Sequence, residues 1–247
     1  MSDRLHNFIS YRLENMTNQQ VFVFEGERAE NYDQYIPIWV PGYELMHDLL
    51  SSILQTHLPK ESSILIAGCG SGKELVTLGK ANPSWRLLGV DPSPDMIKKT
   101  RDRISQEKLE NRVRLHQGVV SELLENTLYD AATLILVMHF FPDDGTKLTL
   151  LQSIAQRLKS GATLLLVDSY GEESSTQVEG KLEILKNYVI QKGFPPKQAQ
   201  ERIEKIPQNI HLVSENRIIA LLEEAGFKMV ERFYSALLVG GWVAERR

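Results

Sequence analysis

The architecture expected for this chain follows from the segment SSILIAGCGSGKELVTLGKANPSWRLLGVD (62–91). It predicts a buried strand over 64–67, a turn with three glycines, a helix, and a second strand over 87–90 that ends in Asp91. Glycines at this spacing let the backbone turn tightly and approach a ligand closely. Asp91 stands 19 residues after Gly72, where a carboxylate can accept hydrogen bonds from a ribose. The segment therefore predicts a site for a nucleoside-containing ligand.

The glycine turn has a second interpretation, because many strand-to-helix turns use glycine for steric reasons alone. The strand before it, the helix after it and the acid that ends the next strand together favour the nucleotide site. The helix begins with Lys73 and Glu74. A carboxylate at a helix N-terminus is locally favourable but works against a bound pyrophosphate, which counts against NAD as the ligand.

The composition of the 247 residues is that of an ordinary soluble protein, with 42% hydrophobic and 24% charged residues. A formal net charge of −4 argues against a broad surface for nucleic acid or membrane. The single cysteine, Cys69, excludes an internal disulfide and a multi-cysteine metal site, so no metal is expected. The N-terminus MSDRLHNFIS lacks the apolar core of a signal peptide, and no apolar run is long enough to span a membrane. We therefore expect a cytoplasmic protein.

Alternating strand and helix patterns predict a doubly wound α/β fold with a seven-stranded, mostly parallel sheet whose last strand is antiparallel. Short apolar strands such as LILV and TLLLV need burial on both faces. The predicted strands lie near 63–67, 86–90, 112–116, 130–137, 162–168, 227–233 and 236–244. The predicted helices lie near 43–58, 73–81, 93–107, 120–125, 146–159 and 215–225.

The segment 170–213 interrupts this alternation with two predicted helices, 176–191 and 195–205. Forty residues are long for a connection inside a compact domain, and such excursions tend to be functional. Because the segment leaves the carboxyl edge of the sheet, it should overhang the ligand crevice as a helical lid after strand five. We predict one domain over 1–247, with cap helices within residues 1–60.

Several further motifs make the chain resemble the Rossmann-like S-adenosylmethionine-dependent methyltransferases. They occur in the order of that family: ILIAGCGSG (64–72), GVDPSPDMI (89–97), QGVVSEL (117–123), LYDAATLILVMHFF (128–141), LKSGATLLLVD (158–168) and LLEEAGF (221–227). Within the family, FEGERAENYDQYIPIWVPGYELM (24–46) is similar to the first segment of the carboxy-S-adenosylmethionine synthases, most clearly at VPGY (40–43). The resemblance implies a Rossmann-like fold, with S-adenosylmethionine as cofactor.

The resemblance also implies which residues bind that cofactor. Asp91 would hold the ribose hydroxyls, unless it only caps the following helix. Tyr43 would reach the sulfonium end, where a ring face or hydroxyl can favour a cation, unless it is a core tyrosine. The remaining contacts fall into two groups along the cofactor. The methionine part and the ribose would meet Gly68, Cys69 and Gly70, and the walls of the adenine slot would be Pro92, Val119 and Val120.

Three positions depart from the pattern of the family. Many relatives have an acid where this chain has Ile66, and usually another where it has Val119. The carboxy-S-adenosylmethionine synthases have an asparagine at the cofactor-binding position of Ile135. A lost polar contact is worth about 1 kcal/mol, so we expect cofactor binding to be retained but weakened, with its complete loss as the alternative.

The candidates for chemistry lie near the ends of strands four and five and in the lid. His139 is expected at the mouth of the crevice, where it would act as a base or anchor a turn. Asp168 and Tyr170 face the lid, with Tyr170 a candidate substrate contact, while His211 is more typical of a structural histidine. By resemblance, Arg202 would hold a substrate carboxylate, although KQAQERIEK is also typical of a solvated helix.

Three functions remain open from the sequence. The first is methyl transfer from S-adenosylmethionine to a small molecule by direct in-line displacement. The second, by resemblance, is a carboxy-S-adenosylmethionine synthase that uses prephenate to make a cofactor for tRNA modification. The third is a non-catalytic protein that binds a nucleoside. Pairing of two copies through the lid, as a homodimer, is a further expectation because such insertions expose apolar faces.

Overall fold

The computed structural model describes residues 24–124 and 126–247, and its centre is a seven-stranded sheet. The strand order is β3-β2-β1-β4-β5-β7-β6. The strands are β1 (Ser63–Ala67), β2 (Arg86–Asp91), β3 (Val113–Gln117), β4 (Tyr129–Ile135), β5 (Leu158–Ser169), β6 (Phe227–Ala236) and β7 (Val239–Arg246).

The sheet is parallel except at its last strand, as the sequence predicts. The first five strands pair in parallel, whereas β7 is antiparallel to both β5 and β6. The carboxyl ends of β1, β2, β4 and β5 therefore meet at one edge. In a sheet of this kind, the ligand crevice lies outside that edge, where the strand order reverses between β1 and β4.

The described residues also form nine α-helices and two short 3₁₀ turns, the latter at Val120–Glu122 and Met138–Phe140. The α-helices are α1 (Glu27–Glu30), α2 (Tyr32–Trp39), α3 (Tyr43–His57), α4 (Lys73–Ala81), α5 (Pro94–Gln106), α6 (Thr146–Ala155), α7 (Thr176–Gln191), α8 (Pro196–Asn209) and α9 (Glu215–Glu224). The part of the N-terminal cap predicted before residue 24 lies outside the described residues.

Helices cover both faces of the sheet, which confirms the doubly wound arrangement. On one face of the sheet, side chains of α3, α4 and α5 form an apolar core with Ile64 and Ile66 of β1. Those of α6 and α9 form a second core on the opposite face, with Leu65 and Ala67. The fully buried Ile66 is therefore a core residue of β1, which explains why an apolar side chain is stable there.

Two predicted helix bounds are wrong for local reasons. The helix predicted over 120–125 is only a 3₁₀ turn, Val120–Glu122, in which the Glu122 carboxylate accepts a hydrogen bond from the Val119 N–H at 3.2 Å. The helix predicted over 146–159 ends at Ala155, because Leu158 already pairs with Tyr129 as the start of β5. Strand pairing outcompetes the last helical turn there.

The lid predicted after strand five is present as α7 and α8. Its apolar side chains, including Leu182, Val189 and Ile203, cluster with Phe194. Tyr35, Ile38 and Trp39 of α2 pack against this cluster. The N-terminal segment and the lid are thus joined to each other over the carboxyl edge of the sheet.

Candidate active site

The glycine turn after β1 has the geometry of a ligand-binding loop. The φ angles of Gly68, Gly70 and Gly72 are +74°, +51° and +82°, values that side chains other than glycine rarely adopt. A Cβ on Gly68 would lie 2.3 Å from Cγ2 of Val137, so only glycine fits there. A Cβ on Gly70 would meet nothing within 4 Å, so this part of the backbone faces open space.

Asp91 lies beside this turn at the end of β2. Its Oδ2 accepts a hydrogen bond from the Gly70 N–H at 2.8 Å, and its Oδ1 accepts one from the Ser93 N–H at 2.9 Å. Burial raises the pKa of the Asp91 carboxyl, and these two backbone donors oppose that rise. Because each carboxylate oxygen can accept a second hydrogen bond, the cap at Ser93 and the predicted contact to a ribose are compatible.

The adenine slot predicted next to Asp91 has few polar side chains. Val119 is 42% exposed, and its N–H donates to Glu122. Val120 is buried in the core, while Pro92 is exposed after Asp91. The roles predicted for Pro92, Val119 and Val120 stay predictions. Val119 is the more accessible of the two valines.

A small cavity of about 30 Å³ lies between the glycine turn and α3. It brings five of the predicted cofactor-binding residues together, namely Tyr43, Gly68, Cys69, Gly70 and Ile135. Burial raises the pKa of the Cys69 thiol, so this side chain stays protonated and packs instead of acting as a nucleophile.

Tyr43 reaches the small cavity because of the turn VPGY. Gly42 has a φ of +76°, and a Cβ there would lie 3.0 Å from the Tyr234 hydroxyl, which donates to the Pro41 carbonyl. The Tyr43 ring meets the His47 ring edge-on at 4.6 Å. Burial raises the pKa of Tyr43, so it offers a neutral ring and hydroxyl, not a phenolate.

A second cavity of about 610 Å³ adjoins the first, since Tyr32 and Leu136 line both. Its walls come from the N-terminal segment, from the ends of β4 and β5, and from the lid. Leu136 stands between the cavities with a φ of +56°, which is strained for a leucine. The volume lies within the range of small-molecule sites, roughly 300–1,000 Å³.

His139 lines the large cavity and is paired with Asp168, the fully buried acid near the end of β5. The bond joins His139 Nδ1 to Asp168 Oδ1. Among the described residues, no hydrogen-bond partner is present for Nε2 of His139, so this nitrogen is left for a ligand. An imidazole oriented in this way by a carboxylate is suited to accept a proton.

Lys147 fixes the turn that carries His139. It is 1% exposed, and its Nζ donates to the carbonyls of Met138 at 2.9 Å and His211 at 3.0 Å. The His211 N–H in turn donates to the His139 carbonyl at 2.7 Å. Burial lowers the pKa of Lys147, and the charge of Asp168 opposes that change. His211 therefore contributes its backbone, in agreement with the structural role expected for it.

Arg202 also lines the large cavity, surrounded by three aromatic rings. Its guanidinium lies 4.8 Å from the ring centre of Tyr35, 5.1 Å from that of Phe194 and 5.6 Å from that of Trp39. Tyr170, the other candidate substrate contact, does not line the cavity. Its ring packs edge-on against Trp242, and its hydroxyl lies 3.2 Å from Ser235 Oγ.

Comparison with known proteins identifies this arrangement. Residues 65–164 match the model of a family described as a methyltransferase domain. A carboxy-S-adenosyl-L-methionine synthase from Colwellia psychrerythraea is 25% identical over 224 residues, which are 86% of this chain and 87% of the synthase. The methyltransferase domain and this relative support an S-adenosylmethionine-dependent methyltransferase.

Solved structures show the same fold. Magnesium protoporphyrin IX methyltransferase from Synechocystis PCC 6803, with bound SAH, has a TM-score of 0.63 and 16% identity, covering 88% of this methyltransferase and 95% of that chain. An O-methyltransferase family protein from Burkholderia thailandensis has a TM-score of 0.63 and 15% identity, covering 89% and 59% of the two chains. These structures confirm the predicted fold, and the methyltransferase domain with the curated relatives confirms the predicted family, enzyme class and cofactor.

The residues of the methyltransferase fit S-adenosylmethionine. Gly70 leaves open space beside the Asp91 carboxylate, as a bound ribose requires. The small cavity offers buried polar atoms for the amino-acid end of the cofactor. Among residues 24–124 and 126–247, no group of metal-ligating side chains is large enough to hold an ion, and no helix has the length and apolarity needed to span a membrane.

Three residues of the site were missed from the sequence. Asp33 of α2 interacts with Ser71, Lys99 and Arg103 and so fastens the N-terminal segment over the glycine turn. His47 and Glu74 line the small cavity. In the sequence, Glu74 stands out only as a charge at the start of its helix, and His47 lies off the apolar face predicted for 43–58, so neither was expected in the site.

Proposed function

We propose that this methyltransferase methylates a hydroxyl of a small acidic molecule bound in the large cavity, with His139 as the proton acceptor. The observation that carries the proposal is the His139–Asp168 pair on the wall of a 610 Å³ cavity that adjoins the small one. A base placed there faces the cavity next to the one lined by the glycine turn, where the cofactor is predicted to bind. Fold similarity alone would not specify an acceptor.

When bound, S-adenosylmethionine would supply a methyl group on a cationic sulfur. The acceptor oxygen would attack the methyl carbon in line, and the sulfur would leave as part of S-adenosylhomocysteine. His139 Nε2 is placed to take the proton that the acceptor hydroxyl loses. Asp168 holds the opposite ring nitrogen and stabilises the imidazolium that forms. The cavity walls would orient the acceptor, and such positioning supplies much of the catalysis in transfers of this kind.

The acidic character of the acceptor is inferred from the lid side of the cavity. Arg202 and Lys205 line it from α8, and Arg28 lines it from α1. Among the described residues, Arg202 has no carboxylate partner, and a guanidinium in this position favours a carboxylate or phosphate ligand. The aromatic rings around Arg202 hold it in place without using its N–H donors.

A second candidate, a carboxy-S-adenosylmethionine synthase-like activity, is favoured by the relatives of that name. In this function Arg202 would hold the carboxylate added to the cofactor instead of one on a separate acceptor. Ile135, which lines the small cavity where those synthases have an asparagine, counts against it.

Product analysis by mass spectrometry separates the two candidates. The enzyme would be incubated with S-adenosylmethionine and either prephenate or a panel of small hydroxy acids. We expect S-adenosylhomocysteine and a methylated acid, with turnover lost in His139→Gln and kept in His57→Gln, a control at the exposed end of α3. A cofactor with an added carboxylate would support the second candidate, and binding without any product would contradict both.

A further inference from the structure

Two buried polar side chains that line the small cavity carry atoms without a hydrogen-bond partner among the described residues. Glu74 is 5% exposed and His47 is 3% exposed. Among the described residues, Oε1 of Glu74 and both ring nitrogens of His47 have no partner. Both residues line the same cavity of about 30 Å³ as Gly68 and Gly70. Because buried polar groups are almost always paired, two in one cavity point to a ligand that pairs them.

The first turn of α4 carries two charged residues, Lys73 and Glu74, and both line the small cavity. Lys73 is partly exposed, and its Nζ is paired with Glu44 at 2.6 Å. Glu74 points inward to Thr133 of β4, which pairs in register with Ile66 of β1. The Glu74 carboxyl thus lies over the carboxyl ends of β1 and β4, directly beside the glycine turn, at a point where β1 itself offers only the apolar Ile66.

The ionisation of these groups suits a cationic ligand with several donors. Burial raises the pKa of Glu74 to about 7, and the nearby Thr133 hydroxyl opposes that rise. Burial lowers the pKa of His47 to about 4, so its imidazole is neutral at physiological pH. A cation that enters the cavity would lower the pKa of Glu74 and so ionise it. The cation would then lie between the Glu74 carboxylate and a neutral ring nitrogen of His47.

The size of the cavity restricts the choice of cation. A cavity needs roughly 10–15 Å³ to hold one water molecule, and this cavity has about 30 Å³, so it has room for a group as small as an ammonium group. A metal ion would need three or more ligands, and no such group exists in the described part of the chain. An ammonium group carries three donors, which matches one carboxylate, one imidazole and a backbone carbonyl of the turn.

We propose that Glu74 and His47 bind the α-ammonium group of the methionine part of S-adenosylmethionine. The inference rests on the cofactor and is independent of the proposed acceptor. Gly70 both donates to Asp91 and lines the small cavity. If Asp91 holds the ribose, the amino-acid end of the cofactor can therefore reach that cavity. Glu74 thereby supplies from α4 the negative charge that β1 lacks.

Calorimetric titration with two ligands tests this assignment. S-adenosylhomocysteine carries the ammonium group, whereas methylthioadenosine has the same nucleoside without the amino-acid part. We expect Glu74→Gln to weaken S-adenosylhomocysteine binding roughly 10- to 100-fold, the effect of one charge-assisted hydrogen bond, and to leave methylthioadenosine binding unchanged. His47→Leu should act in the same selective way, more weakly.

Asp48→Asn is the matched control, since Asp48 is an exposed acid of α3 that does not line the small cavity. It should change neither ligand's affinity. Equal affinity of wild type and Glu74→Gln for S-adenosylhomocysteine would overturn the inference, and so would an equal loss for both ligands. Failure of the wild type to bind either ligand would instead overturn the cofactor site as a whole.

Proton release by the wild type gives a second test that needs no variant. At pH 6, below the pKa of about 7, free Glu74 is mostly protonated, and pairing with an ammonium group would expel that proton. Among its neighbours, Tyr32, Tyr43 and Cys69 have raised pKa values and His47 a lowered one, so none of these four titrates near pH 6. Binding heats in buffers of different ionisation enthalpy should reveal about one proton released with S-adenosylhomocysteine and far less with methylthioadenosine. Equal release with both would overturn the inference.

Discussion

The guanidinium of Arg202 lies 4.8 Å from the centre of the Tyr35 ring and connects the lid to the N-terminal segment. Phe194 approaches both Tyr35 and Trp39 edge-on, at 5.5 and 5.3 Å, so the three rings form a rigid surround for the arginine. A cation held over ring faces keeps its N–H donors directed elsewhere. The wall of the large cavity thus depends on two segments that are more than 150 residues apart in the chain.

Replacing Arg202 tests its proposed role in holding an acidic acceptor. We expect Arg202→Gln to raise the KM for the acceptor about 10- to 100-fold with a smaller effect on kcat, because a lost charged hydrogen bond removes binding in ground and transition states alike. Steady-state kinetics would measure this. Arg101→Gln, at an exposed position of α5, should behave as wild type, and an unchanged KM for Arg202→Gln would refute the role.

Replacing the two members of the His139–Asp168 pair tests the proposed base. We expect His139→Gln to lower kcat about 10²- to 10⁴-fold, as is typical of a lost general base. Asp168→Asn should also lower kcat, since an amide no longer stabilises the imidazolium or fixes which nitrogen carries the proton. Dissociation constants for S-adenosylhomocysteine, measured by calorimetry, should stay close to that of wild type. A normal kcat in Asp168→Asn would show that Asp168 only supports the fold.

Much of the framework could be predicted because it depends on local patterns. Ser93 caps α5 by accepting from the Met96 N–H at 3.1 Å, and Ser214 caps α9 through Arg217, as their sequence positions indicate. The glycine spacing and the position of Asp91 likewise encode the turn and the acid beside it. Such features need only a few neighbouring residues.

The polar interior of the site could not be predicted in the same way. In α3 the spacing of apolar residues includes Leu45, but Leu45 is 56% exposed, and the buried stripe instead contains Tyr43, His47 and Leu50. The helix is rotated relative to the prediction because Tyr43 and Met46 pack against Val167 and Tyr234, a contact that depends on distant strands. Tyr170 turns toward Trp242 for a similar reason, through packing that no local pattern encodes.

Replacing Asp33 tests whether the N-terminal segment holds the cofactor in place. Asp33 lies 2.9 Å from Arg103 and 3.2 Å from Lys99, and it also accepts from the Ser71 hydroxyl. Burial alone would raise the pKa of Asp33, but these three partners outweigh it and lower the pKa. We expect Asp33→Asn to speed the dissociation of S-adenosylhomocysteine several-fold, because the segment over the glycine turn is less firmly attached.

Stopped-flow displacement would measure this dissociation rate. The fastening should persist above the ordinary pKa of an aspartate and be lost as the pH falls through the lowered pKa of Asp33, so acid should remove the difference between the variant and wild type. Asp102→Asn is a suitable control, since Asp102 is paired with Lys98 on the exposed side of α5. Equal dissociation rates for Asp33→Asn and wild type would refute the role of this contact.

The raised pKa of Glu74 predicts how the stability of the ligand-free enzyme depends on pH. Below pH 4.5, the ordinary pKa, the carboxyl is protonated in both the folded and unfolded chain and contributes nothing. Between 4.5 and about 7 only the unfolded chain loses the proton, so stability falls as the pH rises. Above that range the loss levels off at roughly 3 kcal/mol, at about 1.4 kcal/mol for each pKa unit.

Glu74→Gln removes this titration. Relative to wild type, the free energy of unfolding of the variant should therefore rise between pH 4.5 and 7 and stay higher by a constant amount above pH 7. Urea unfolding at a series of pH values, with equal m-values for the two proteins, would measure the difference in free energy. Saturating S-adenosylhomocysteine should narrow this advantage of the variant above pH 7 by about 1.4–2.7 kcal/mol, the value of a 10- to 100-fold difference in affinity, because only the wild type then pairs the ionised carboxylate with the ammonium group. Parallel stability curves for Glu74→Gln and wild type would show that Glu74 is not held neutral in the free enzyme.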